Sequence, residues 1–156
     1  MNWDAIGVVG EIIGATAVVV SLAYLAIQIR TQNRQARTAA MHEISVGFRD
    51  AIATFANVEN AEVITKANRD FDALSETEIF VLIAGLQRIL RVWKEAHFQH
   101  RQGQLESHIW DPLVLQYSSY LSMPALNRVW DLRKEFFSSE FREFAENLEL
   151  SEYRIN

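Results

Sequence analysis

Residues 12–29 form a run of 18 positions without a single Asp, Glu, Lys or Arg, and this run constrains the fold more than any other feature. The low-charge stretch reaches back to Ala5, with only Glu11 interrupting it. At about 1.5 Å per helical residue, the uncharged run covers roughly 27 Å and residues 5–29 roughly 37 Å, against a hydrocarbon core of about 30 Å. Residues 5–29 are therefore expected to form a transmembrane helix. Trp3 at one edge and Arg30 at the other stand where interfacial anchors belong. Two alternatives compete with this reading. Gln28 and Glu11 would suit a buried helix of a soluble bundle. A cleaved signal peptide is disfavoured, because the residues ahead of the run carry Asp4 and no lysine or arginine.

Charge also orients the expected span. Arg30, Arg34 and Arg37 follow it closely, whereas Asp4 and Glu11 are the charges before or within it. The positive-inside rule then puts the N-terminus outside and the following domain in the cytoplasm.

Small residues pattern the same helix. Gly7, Gly10, Gly14, Ala17 and Ser21 recur at spacings of three, four, three and four, and Gln28 continues the register one heptad later. Gly10 and Gly14 make a GxxxG pair, which in lipid lets two helix backbones approach closely. Ile12, Val19, Leu22 and Ile29 present larger side chains to lipid. A carboxylate at Glu11 would seek a polar partner, a proton or the hydrated interface. The stripe is expected to pack against a helix of the same protein or of another membrane protein. Its simpler reading is ordinary membrane-helix glycine content.

Beyond the span, the pattern stays helical. No glycine or proline interrupts residues 31–46, and Met41, Ile44, Phe48, Ala51 and Phe55 line one face, so the first helix is expected to reach about Phe55 with a bend near Gly47. A break is expected at residues 57–60, then a short helix through Ala67 and an acidic turn at residues 70–72. Ser75 and Glu78 make a capping box for a long helix to about His100, with Ile79, Leu82, Ile83, Leu86, Ile89, Leu90 and Trp93 on one face. The uncharged run 79–87 is too short for a second span. Gly103 is expected to help end that helix. Asp111-Pro112 reads as an N-cap and first-turn pair, and Pro124 as another helix start. Phe137, Phe141, Phe144 and Leu148 repeat at four, three and four, with a new cap or bend at Ser138 and Ser139.

The expected fold is thus all-α, a single N-terminal transmembrane helix continuing into a cytoplasmic helical bundle. Its divisions are residues 5–29 as the span, 30–56 as a juxtamembrane helix, and 57–150 as a soluble helical domain packed with that helix. Only six glycines and two prolines in 156 residues argue against a sheet sandwich or a loop-rich fold.

The chemistry-bearing residues give little direction. A net charge of −5 offers no general electrostatic reason to bind nucleic acid. The absence of cysteine excludes disulfides, thiolate metal sites and cysteine nucleophiles. His97 and His100 share a helix face, and His42 and His108 could approach them, yet HxxH without a carboxylate at a diagnostic offset is a weak metal signal. No metal and no cofactor is expected. Glu95, Glu106, Asp111 and Glu135 could serve as acids or bases only if folding gathers them. No nucleophile elbow surrounds Ser118 or Ser119, and Gly7, Gly10 and Gly14 sit inside an apolar helix, unlike a phosphate loop. Trp93, Trp110, Trp130, Tyr117 and Tyr120 are expected to fill helix seams, with a ligand cleft as the less common outcome. Arg30, Arg34 and Arg37 could also touch anionic headgroups, at about 1 kcal/mol each.

The sequence from Ala17 to Arg30, AVVVSLAYLAIQIR, followed by Thr31-Gln32-Asn33-Arg34, resembles a class of small bacterial membrane proteins of uncharacterised function. The resemblance covers residues 17–37. It implies an N-terminal span passing directly into a basic juxtamembrane helix, in the bacterial inner membrane, and it implies no activity. The resulting expectation is a non-catalytic accessory or scaffold subunit of a membrane assembly, whose partners are the bilayer and another membrane protein or a second copy. A membrane-tethered enzyme or a small-ligand or metal-binding module is the alternative.

Overall fold

The computed structural model describes residues 3–153, and the side chains of residues 7–153. Every regular element among the described residues is helical. They are α1 (Trp3–Ala53), α2 (Val58–Arg69), α3 (Glu76–Arg101), α4 (Ser107–Leu121), α5 (Pro124–Arg133) and α6 (Ser139–Glu146). Single turns of 3-10 helix at Phe71–Ala73 and Lys134–Phe136 join α2 to α3 and α5 to α6. The chain divides into two compact units, Met1–Ala39 and Ala40–Asn156.

The first unit is helical throughout its described residues. From Gly7 onward its side chains are exposed, and Val8, Ile12, Val19, Leu22, Leu25 and Ile29 lie between 51% and 65% exposed. Long, apolar and uncovered, this helix has the length and composition to cross a membrane.

The second unit has a core of its own. The last turns of α1 bury Ile44 and Ala51 and half-bury Phe48, as their spacing predicts, but Ala40 takes the buried place expected for Met41, which is exposed. Gly47 lies inside continuous helix. A Cβ there would stand 3.2 Å from Val92 Cγ2, so glycine serves a close approach between α1 and α3. Helix α3 is the central element, burying Leu82, Leu86, Ile89, Leu90, Trp93 and Ala96 and packing against α2, α4 and α5. Gly85 lets the Phe55 ring lie on α3, since a Cβ would come within 2.6 Å of Phe55 Cζ.

Trp93 occupies the middle of this core, fully buried. The Tyr117 ring stacks on it at 4.4 Å and 15° between planes, while Phe141 and Phe144 meet it edge-on at 5.3 and 5.8 Å. Trp110 and Trp130 are buried as well. The aromatic residues thus fill helix seams, each contact adding about 0.5–1.5 kcal/mol beyond area burial.

Local signals set most helix ends. Asn57 caps α2, its Oδ1 accepting from the Asn60 amide at 2.8 Å, which places the break at residues 54–57, slightly earlier than expected. The Ser75–Glu78 capping box forms in full: Ser75 Oγ accepts from the Glu78 amide at 3.3 Å, and the Ser75 amide donates to Glu78 Oε2 at 2.7 Å. Gly103 adopts φ +69° just past α3, a conformation that favours glycine. Pro124 is the first residue of α5, and Ser138 caps α6.

One expectation is corrected. Asp111-Pro112 does not begin a helix: α4 starts at Ser107, with Glu106 as its N-cap and Pro112 inside it. Burial of Trp110 against Ile44, Ala96 and Leu105 extends the helix one turn earlier. Packing outweighs the single backbone bond that an interior proline removes.

Candidate functional site

Two regions could carry function: the exposed length of α1, and the polar cleft where α3 ends beside α6.

On α1, the Ser, Thr and Gln side chains within and just after the apolar run bond inside the helix. Thr16 Oγ1 donates to the Ile12 carbonyl at 2.8 Å, and Ser21 Oγ to the Ala17 carbonyl at 2.8 Å. Gln28 Nε2 donates to the Tyr24 hydroxyl at 3.0 Å, and Thr31 Oγ1 to the Ile27 carbonyl at 3.0 Å. The same bond to the i−4 carbonyl recurs at Thr38, Ser45 and Thr65 outside the run, so it is a general habit of helical Ser and Thr. It suits hydrocarbon, which offers no competing partner. Gly7, Gly10, Gly14, Ala17 and Ser21 fall within one stripe of the helix, and a Cβ built on any of the three glycines meets nothing within 4 Å. Contacts within the described chain therefore do not demand glycine at these positions. Arg30, Arg34 and Arg37 follow on one exposed face. The Trp3 side chain, assigned as the other interfacial anchor, lies outside the described residues.

In the second unit the two histidines of the HxxH pair part company. His100 stacks on Trp110 at 4.7 Å and 8°, its Nδ1 3.1 Å from the Leu105 carbonyl. His97 instead stacks on Phe144 at 4.5 Å, and makes no hydrogen bond among the described residues. Burial holds the His97 imidazole below its usual pKa, opposed in part by the Glu140 carboxylate. His42 is exposed, and His108 pairs with Glu106 at 3.4 Å. Among the described residues, no three His, Cys, Asp or Glu side chains are grouped to hold a metal ion.

The carboxylates considered as acids or bases are dispersed. Glu95 accepts from Gln99 Nε2 at 3.1 Å, Glu135 pairs with Arg142 at 2.6 Å, and Asp111 is exposed on α4. The carboxylate most displaced from its ordinary pKa is Glu78, held down to about 2 by the Ser75 amide and then by Lys66, whose Nζ lies 2.9 Å away. Its role is to tie α2 to the start of α3.

Sequence reasoning did not nominate the neighbours of His97. Lys94 and Arg101 come from α3 and Gln102 caps its end, while Ser138 and Glu140 come from the start of α6, some forty positions later. Arg101 Nε lies 3.0 Å from Glu140 Oε1. No spacing rule joins residues that only the return of α6 onto α3 brings together. Compared with family models, with curated proteins and with solved structures, the chain finds no match.

Proposed function

We propose that this chain is a single-span accessory or scaffold subunit of an assembly in the bacterial inner membrane. The N-terminus lies outside, the helical second unit lies in the cytoplasm, and the small-residue face of α1 packs against a helix of a second copy or of another membrane protein.

The observation that carries this reading is the exposure of α1. Eleven Val, Leu and Ile side chains of its first unit are more than half exposed. At about 1.5–3 kcal/mol for burying each, covering them is worth on the order of 20 kcal/mol, more than the roughly 5–15 kcal/mol that stabilises a domain. A lipid bilayer supplies that cover over most of the surface. The open Gly10 and Gly14 positions leave room for a neighbouring backbone. The apolar length of α1 supports the membrane location, and the three arginines support the orientation.

Replacing Gly10 and Gly14 by leucine tests the packing face. Crosslinking in native membranes and the mass of the particle in mild detergent should both fall. Full retention of both in the double variant would reject this face as the packing surface, and a chain released by alkaline carbonate would reject the span itself.

A further inference from the structure

A cleft of about 310 Å³ opens between the last turns of α3 and the start of α6, lined by Lys94, His97, Arg101, Gln102, Ser138 and Glu140. That is the small end of the range for ligand sites. Three features of this cleft point the same way.

His97 is only 7% exposed, lines the cleft, and makes no hydrogen bond among the described residues. Its ring lies against Phe144 and Phe141, at 4.5 and 5.6 Å between centroids. A neutral imidazole carries one N–H donor and one acceptor. Neither His97 nitrogen is among the buried polar atoms that lack a partner, so both stay open to whatever fills the cleft. Arg101 offers more donors than it uses. Its Nε meets Glu140, and the rest of its five-donor fork has no partner among the described residues. Helix α6 begins here with eight residues. Ser138 Oγ accepts from the Phe141 amide at 3.4 Å, so the Ser139 and Glu140 amides remain first-turn donors at the positive end of the helix.

The opposing helix end is already closed. The Phe98, Gln99 and His100 carbonyls of α3 accept from the Gln102, Gln104 and Gly103 amides, which moderates their repulsion of an anion. Glu140 shows what the cleft accepts, because its own carboxylate is an oxyanion held by Arg101. That side chain is 59% exposed and can turn into water. Lys94 Nζ, 3.7 Å from Glu95 in a half-exposed pair, sits on a flexible stem that can reach a ligand. With Glu140 turned away and Lys94 swung from Glu95 to the ligand, Arg101 and Lys94 bring two positive charges to it, matching a dianion better than a single carboxylate.

We propose that this cleft binds the phosphate group of a small ligand, held by Arg101, Lys94, the first amides of α6 and the His97 ring, in place of the Glu140 carboxylate. The inference is independent of the accessory role. A soluble phosphate and a phospholipid headgroup share the required chemistry, and the two sources are separable.

The full chain, labelled with 15N in zwitterionic detergent, is titrated with inorganic phosphate at constant ionic strength while the His97 ring nitrogens are followed by NMR. Saturable shifts with a dissociation constant on the order of 1 mM are expected, and chloride should produce none. Glu140→Gln removes the competing charge and should tighten binding about tenfold; Arg101→Gln should weaken it about tenfold. Both positions are exposed, so circular dichroism should report unchanged folding. In a second arm, phosphatidic acid is doped into the micelles. Saturable His97 shifts there alone, weakened by Arg101→Gln, assign the phosphate to a lipid headgroup. Absence of saturation in both arms, or a folded Glu140→Gln that binds no more tightly, overturns the proposal.

Discussion

Tyr117 brings its hydroxyl into the core with no hydrogen-bond partner among the described residues, and the indole Nε1 of Trp93 beneath it is in the same condition. Burial pushes the Tyr117 phenol well above its ordinary pKa, since the charged form has nothing to stabilise it. An unpartnered buried donor costs about 1–3 kcal/mol, while the stacked ring gives its benefit without the hydroxyl. Tyr117→Phe is therefore expected to raise stability by about 1 kcal/mol, read from the midpoint of urea unfolding at unchanged slope. Loss of stability in this variant would mean that the hydroxyl has a partner. His97 gives the residue scale its pH dependence. Its folded pKa lies below the ordinary 6.5, so both states are neutral above that value and the full stability is present there. As pH falls from 6.5 toward the lowered folded value, the unfolded chain takes up the proton first and stability declines. Unfolding at pH 7.5 and at pH 5 should differ more in the wild type than in His97→Gln, which does not titrate. Glu78 adds its loss further down, as pH falls from 4.5 toward about 2, and so separates from the histidine on the pH axis.

At the scale of elements, α5 begins without help from its own cap. Met123 offers no side-chain acceptor, and the second residue of the helix, Ala125, donates instead to Asn68 Oδ1 at 2.9 Å. Asn68 belongs to α2, so one hydrogen bond both caps a helix and joins two of them. Asn68→Ala should cost about 1 kcal/mol, the usual loss for a missing cap, and Asn68→Asp should retain most of it. Hydrogen exchange at the Ala125 amide reads the bond directly, and unchanged protection in Asn68→Ala would dismiss it. This bond also marks what the sequence could reveal. Ser75 and Glu78 lie three residues apart, so their capping box is readable in a short window and appears as expected. The apolar spacing on α3 likewise identifies Leu82, Leu86, Leu90 and Trp93 before any tertiary contact is known. Asn68 and Ala125 are 57 positions apart, and Arg101 and Glu140 are 39 apart; such pairs arise from helix packing and leave no periodic trace. Asp111-Pro112 shows the opposite failure. Its local signal is strong, yet burial of Trp110 decides where α4 starts.

For the whole molecule, the decisive question is which side of the bilayer receives the helical unit. The chain carries 20 acidic and 15 basic residues, so net charge alone would not hold it on either side. The proposed orientation rests instead on basic residues close to the span, where Arg30, Arg34 and Arg37 stand against Asp4 and Glu11 at the other end. The chain has no cysteine, so one introduced thiol is an unambiguous reporter. Gln104 is exposed in the turn between α3 and α4, and Gln104→Cys should leave the core untouched. In cells with a permeabilised outer membrane, a membrane-impermeant maleimide should fail to label this thiol until the inner membrane is broken. Labelling of intact cells would reverse the proposed orientation while leaving the span in place. Changing all three arginines to asparagine in the same reporter removes the charge bias but keeps the apolar length. Part of the population should then become labelled in intact cells, because insertion has lost its directing charges while the gain from burying α1 in lipid is unchanged. A reporter that stays fully protected after this change would place the orienting force in the fold of the second unit, which would have to form before the helix inserts.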